Sequence, residues 1–332
     1  MVNVMKTLVT GANGFLGLYV VEQLLARGDR VRAMCRGKSV PLDALGVEIV
    51  RADLRDRPAA MAACQDMDVV FHVGGVAGMG DLWRRYYEVN VLGTRHVVEG
   101  CLTYGVRRLV FTSSPSVTFD GRNQEGIDES APYPRRWLCH YAHSKALAEQ
   151  HVLAANGRDG LLTCALRPHL IWGPRDRHLV PGLLERAAKG RLRRIGDGRN
   201  LIDTVYVENA AAAHLLAADA LQPGSPVPGR PYFISQGEPV NCWAWIDALL
   251  ALAGLPPVRK ALSWQVAWIA GAACEAVYRL LRLRGEPPLT RFLAAELATS
   301  HYFNIGRARR DFGYEPEVSM AEGMRRLAAA GL

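Results

Sequence analysis

The feature that most constrains this chain is "TGANGFLG" at residues 10–17, placed where two periodicities meet. Before it, "KTLVT" (6–10) is a short β-branched run; after it, residues 14–27 carry apolar side chains at helical spacing. Glycines 11, 14 and 17 therefore fall in a turn that leaves a strand and opens a helix. Gly11 permits the tight turn, Gly14 lets backbone approach an anion, and Gly17 allows close packing of helix on strand. With Asn13, Phe15 and Leu16 of the same turn, the helix N-terminus then faces the pyrophosphate of a dinucleotide.

The first half keeps the same alternation. Strands are expected at 6–10, 30–35, 46–53, 68–73, 107–114 and 162–168, and helices at 14–27, 57–65, 82–104 and from Tyr141 to Gly157. Such alternation predicts an α/β fold, a Rossmann-like doubly wound parallel sheet. Past about 170 the pattern loosens at proline-rich breaks (223–231, 256–257, 287–288). We therefore expect residues 1–170 to form the dinucleotide-binding domain and 171–332 mainly a smaller substrate-binding cap, with some later segments returning to the sheet. There is no internal repeat or low-complexity tract.

Composition excludes several classes. The formal charge of +8 favours an anionic ligand, but lysines and arginines are spread along the whole chain, which argues against nucleic acid. Seven cysteines, odd in number and without a CxxC pair, suit a reducing compartment and neither a disulfide framework nor a metal site. No signal-peptide pattern opens the chain, and no run reaches the roughly 18 apolar residues a membrane span needs. The expected location is cytoplasmic.

The second strand ends in "AMCRGKS", with no acid for the adenosine ribose but with Arg36 and Lys38. A guanidinium suits a 2′-phosphate, so NADP(H) is expected over NAD(H). Asp53, with Leu54 in "RADLRD", follows the third strand, where a carboxylate can accept from the adenine amino group. "YAHSK" (141–145) sets Tyr141 and Lys145 on one helix face, where the cation is expected to lower the phenol's pKa.

Together these motifs resemble the extended short-chain dehydrogenase/reductase family over nearly the whole chain. "TSSPSVTFDG", "ESAPYP", "LRPHLIWGP" and "IGDGRNLIDTVYVEN" are similar to its 3β-hydroxysteroid and sterol-4α-carboxylate dehydrogenase branch. "LRPHLIWGP", "YFISQGEP" and "LLRLRGEPPLTRFLA" resemble the 2-alkyl-3-oxoalkanoate reductases of bacterial long-chain olefin biosynthesis. The resemblance implies Tyr141 as proton donor, Lys145 as its helper and holder of the nicotinamide ribose, and a serine at 114 on the substrate oxygen, with Ser113 and Ser116 open. It implies that Asn90 supports the lysine, and that Arg167 and Pro168 pass near the nicotinamide. "FHVGGVAG" (71–78) departs from the family's alanine-rich segment, although Gly74 and Gly75 still admit the cofactor's approach.

The implied activity is NADPH-dependent reduction of the C3 ketone of 2-alkyl-3-oxoalkanoic acids. The alternatives are a 3β-hydroxysteroid or sterol-4α-carboxylate dehydrogenase and, from another class, a non-enzymatic NADP-binding redox sensor. Arg175, Arg177 and His178 in "GPRDRH" are candidates to meet a substrate carboxylate. "WQVAWIAGAACEAVYRLLRLRG" (264–285), ending in arginines 279, 282 and 284, lines a long-chain pocket, lies at a membrane interface, or packs in the core or on a partner protein. The family likeness implies a homodimer through the helices near 82–104 and 141–157, and leaves assembly with other pathway enzymes open.

Overall fold

The computed structural model describes residues 4–78, 80, 82–283 and 285–331. Seven parallel strands form the main sheet: β1 (Lys6–Thr10), β2 (Arg30–Cys35), β3 (Glu48–Arg51), β4 (Val69–His72), β5 (Arg108–Thr112), β6 (Leu162–Pro168) and β7 (Pro231–Ile234). Their order is β7-β6-β5-β4-β1-β2-β3, the doubly wound arrangement, in which the chain leaves β1 in opposite directions. Successive residues of β1 face opposite layers: Val9 joins the core on one side and Leu8 the core on the other. Burial on both faces is why the strands read as apolar runs rather than alternating patterns.

One layer holds α1 (Phe15–Ala26). The other holds α2, continuous over Trp83–Tyr86, a π-helical stretch Tyr87–Leu92 and Gly93–Thr103, and then α3 (His140–Ala154). The turn Gly157, with φ +82°, follows α3. The last part of the main sheet comes from beyond residue 170, because β7 pairs with β6 and helix α5 (Val207–Ala220) packs against α1. In exchange, the early strand Gln124–Ile127 joins a second sheet beside His301–Phe303.

The cap is built from that second sheet and from α4 (Leu179–Ala188), α6 (Cys242–Leu252), α7 (Trp264–Leu280) and α8 (Arg291–Ala298) around Trp172, Trp243 and Trp245. Helix α7 packs closely on α8: a Cβ at Gly271 would lie 2.7 Å from the Thr290 carbonyl carbon. Its other face turns outward, with Ile269 68% and Leu280 82% exposed. None of its described residues lines the large cap cavity, which α8 lines instead; Glu275, Tyr278, Arg279 and Leu283 border a separate cavity with Cys139 and His140. Arg284 lies outside the described residues. Among these, no helix is long and apolar enough to cross a membrane.

Candidate active site

The glycine turn is built by mutual exclusion. A Cβ on Gly17 would stand 2.2 Å from the Gly11 carbonyl oxygen, and one on Gly11 would stand 2.6 Å from Gly74 Cα. Gly11 also has φ +66°. Strand, turn, helix and the loop after β4 thus touch through backbone alone. Gly14 differs: it is exposed, and its only near contact is the Gly11 oxygen at 3.0 Å. As N-cap of α1 it brings no side-chain cap to the first-turn amides, beside which lie Asn13, Phe15 and Leu16. An uncapped N-terminus over a side-chain-free cradle fits a dinucleotide pyrophosphate.

Arg36 and Lys38 stand exposed beyond the end of β2. Asp53 is engaged by Arg55, which donates to both carboxylate oxygens (3.0 and 2.9 Å) and holds the acid below its usual range. The Leu54 side chain fills the space between Gly74 and Gly93.

A buried relay runs behind the loop 73–78. Thr94 has one hydroxyl proton and gives it to the Asn90 carbonyl (2.6 Å), so it accepts from Nε2–H of His72 (2.9 Å). Nδ1 of His72 then accepts from Thr10 (2.7 Å), whose oxygen takes the Gly74 amide (3.0 Å). Burial pushes His72 down to about 3, with Lys145 adding to the effect, so the ring is neutral. The side chain of Asn90, in the wide turns of the π-helical stretch, accepts from the Val76 amide (2.7 Å). It donates to the Val76 carbonyl (3.0 Å) and to Ser144 Oγ (2.9 Å). Its link to Lys145 is therefore indirect, through α3.

Tyr141, Lys145 and Ser114 line one cavity of about 320 Å³ with Gly75 and Pro168. Lys145 Nζ donates to the Thr112 carbonyl and lies 4.2 Å above the Phe111 ring. Burial lowers it to about 7, against the pull of Glu149. The phenol of Tyr141 is not depressed as its spacing from the lysine predicts. Burial raises it to about 12, and the influence that most opposes this is a hydrogen bond with Ser114, because Lys145 is turned to Thr112. Ser116 Oγ lies 2.9 Å from Ser114 Oγ, whereas the buried Ser113 hydroxyl has no partner among the described residues.

Two arginines go elsewhere. Arg167 is buried in an ion pair with Glu149 (2.5 and 3.0 Å), which also accepts from Tyr133 (2.7 Å), so only Pro168 of this pair reaches the cavity. Arg175 forks onto Glu22 of α1 (2.7 and 2.8 Å) over the Tyr19 ring and lines neither cavity, while Arg177 and His178 line the larger cavity. That cavity, about 720 Å³, shares Ala77, Gly78, Leu170, Ile171 and Glu296 with the first, and Leu179, Leu183, Trp245, Ile246 and Leu293 give it apolar walls. Residue-by-residue reading missed His72 and Glu296. The available signals were a histidine ending an apolar strand and a lone acid in the apolar "RFLAAELA".

A doubly wound sheet with a glycine turn at β1 and a tyrosine–lysine pair beside a serine defines an extended short-chain dehydrogenase/reductase, an oxidoreductase. Residues 8–262 match the 3-beta hydroxysteroid dehydrogenase/isomerase family, to which the chain belongs. It is 49% identical over 328 residues to a 2-alkyl-3-oxoalkanoate reductase of Stenotrophomonas maltophilia, covering 98% of this chain and 99% of that one. It is 46% identical over 329 residues to a protein of the same name from Shewanella oneidensis, covering 97% and 85%. A UDP-glucose 4-epimerase of Thermus thermophilus, solved in complex with NAD, superposes with a TM-score of 0.73 at 27% identity, covering 98% of each chain.

Proposed function

We propose that the protein reduces the C3 ketone of 2-alkyl-3-oxoalkanoic acids to the 3-hydroxy acids, using NADPH. The observation that carries this reading is the meeting of Tyr141, Ser114 and Lys145 in one small cavity that shares its wall with a large apolar one. A polar reaction centre against an apolar chamber suits a ketone on a long alkyl body. Two relatives that share nearly half of its residues carry the name of that reaction. Arg36 and Lys38, exposed with no acid at the end of β2, support NADP(H) over NAD(H).

In this mechanism the turn Gly11–Gly17 with Asn13, Phe15 and Leu16 would hold the pyrophosphate, Arg36 and Lys38 the 2′-phosphate, and Gly74, Gly75 and Pro168 would border the nicotinamide. Asp53 and Leu54 would flank the adenine. A reduced dinucleotide held there would supply the hydride that the C3 carbonyl carbon takes up. Tyr141 keeps its proton at neutral pH, being raised to about 12, and gives it to the carbonyl oxygen as negative charge develops there. Ser114 hydrogen-bonds the same oxygen. Lys145, near 7, carries the charge that stabilises the phenolate left behind and donates to the ribose hydroxyls. Asn90, through Val76 and Ser144, keeps the loop and α3 in register.

The test is NADPH formation from NADP⁺ and a long-chain 2-alkyl-3-hydroxyalkanoic acid, run beside a 3β-hydroxysteroid with NAD⁺. Turnover of the hydroxy acid, with NADP⁺ preferred, is the expected result. Turnover of the steroid alone would replace this reading with 3β-hydroxysteroid oxidation.

A further inference from the structure

Glu296 stands where the two cavities meet, contributing to the wall of each. It is the one acid of α8, and its carboxyl has no hydrogen bond or ion pair with any other described residue. A carboxylate there works against the reading above, because the substrate is itself an anion whose charge sits two bonds from the reacting carbon. With the ketone oxygen at Tyr141 and Ser114, the substrate carboxylate must lie close by, and Glu296 is near enough for its charge to act on the Tyr141 phenol.

Building on the oxo-acid reading, we propose that Glu296 is a substrate-binding residue whose protonated carboxyl donates a hydrogen bond to the substrate carboxylate.

Of the described residues common to both cavities, Ala77, Gly78, Leu170, Ile171 and Glu296, only Glu296 has a polar side chain. Lys145, the one cation among the described residues lining the smaller cavity, gives one N–H to the Thr112 carbonyl and has the others for the cofactor ribose in the mechanism above. His301, on the strand beside α8, donates Nε2–H to the backbone carbonyl of Glu296 (2.8 Å), and its buried Nδ1, without a partner among the described residues, offers a lone pair. His169 gives its Nδ1–H to the Asp203 carbonyl (2.7 Å). Burial keeps both imidazoles neutral.

Cys139 and Tyr141 at the start of α3, and Cys242 at the start of α6, are held protonated by burial, and Glu296, once ionised at higher pH, adds to this at all three. Towards α7, Arg291 is paired with Glu275, and towards the strand Arg194–Ile195, Arg194 is paired with Asp247. Arg177, Arg186, His178, Glu185 and Glu286 line the larger cavity and are absent from the lining of the smaller one. Burial pushes Glu296 up to about 8, so the acid form prevails at neutral pH. Between two carboxyl groups the weaker acid keeps the shared proton, so the substrate stays ionised. An ionised β-keto acid lacks the carboxyl proton whose transfer to the ketone accompanies loss of CO₂.

The experiment compares KM for a long-chain 2-alkyl-3-hydroxyalkanoic acid with KM for its methyl ester, in NADP⁺ reduction from pH 6.5 to 10. The ratio cancels titrations at Tyr141 and Lys145 that affect both substrates. In the wild type, the acid-to-ester ratio should rise about tenfold per pH unit once Glu296 ionises. Glu296→Gln, a neutral donor at every pH, should keep the ratio low and flat. Glu296→Ala should raise it about tenfold or more at pH 7.

A ratio in Glu296→Gln that climbs as in the wild type would overturn the inference, as would equal changes in acid and ester KM in Glu296→Ala. Should the alanine variant fail to fold, the pH profile of the glutamine variant decides alone. Binding of acid and ester, followed by quenching of tryptophan fluorescence, gives the same ratio for variants too slow to assay. Wild-type protein that used neither compound but oxidised a 3β-hydroxysteroid would overturn the oxo-acid reading and this inference with it.

Discussion

Lys145 Nζ donates to the carbonyl oxygen of Thr112 at 2.5 Å, so the last residue of β5 anchors the ammonium of α3 inside the site. That burial has a measurable cost. Lys145 is lowered to about 7 from 10.5, so between those values the unfolded chain binds a proton that the folded one does not. Its contribution to stability is fully present above pH 10.5 and is lost as pH falls towards 7, by at most about 1.4 kcal/mol per pH unit. Lys145→Met should abolish turnover and show a flatter rise of stability with pH. Urea unfolding of both proteins between pH 8 and 9.5 checks this, and identical slopes would assign the proton to another group.

Tyr141→Phe removes one hydroxyl from a ring that otherwise packs as before. The variant should fold and bind NADPH, and turnover should fall by about 10² to 10⁴-fold. Steady-state rates, with NADPH titrated by its fluorescence, separate the two effects. Wild-type turnover would remove Tyr141 from the chemistry.

Arg36→Ala tests cofactor choice. A lost charge-assisted hydrogen bond of about 1.5–3 kcal/mol should raise KM for NADPH about tenfold or more and leave KM for NADH nearly unchanged. Equal effects on both cofactors would refute a phosphate contact.

The glycines of the turn should separate by role. Gly17→Ala forces a methyl group to within 2.2 Å of the Gly11 oxygen and should destabilise the fold by about 1–3 kcal/mol or more, read as a lower urea midpoint. Gly14→Ala meets only one atom, at 3.0 Å, and should keep that midpoint while weakening dinucleotide binding.

Arg167→Met strands Glu149 without its partner in the core. A loss of about 3–5 kcal/mol in unfolding free energy is expected. Loss of activity without loss of stability would restore Arg167 to the cofactor.

The parts legible in the sequence share one property: they are local. A glycine turn between a strand period and a helix period, the repeated alternation over residues 6–168, and a tyrosine one helical turn before a lysine are set by contacts within a few residues. These determine the doubly wound sheet, the first-turn amides of α1, and the shared helix face of Tyr141 and Lys145.

Tertiary structure decided which charges are free and which are spent. Arg175 and Glu22 are 153 residues apart, and Arg167 and Glu149 are 18 apart on different elements; neither pairing has a spacing that betrays it. The same holds for Lys145, whose acceptor is a backbone carbonyl on β5, and for Glu296, whose carboxyl is raised by burial between the two cavities. Burial and partner choice are properties of the assembled core, because desolvation depends on everything that surrounds a group.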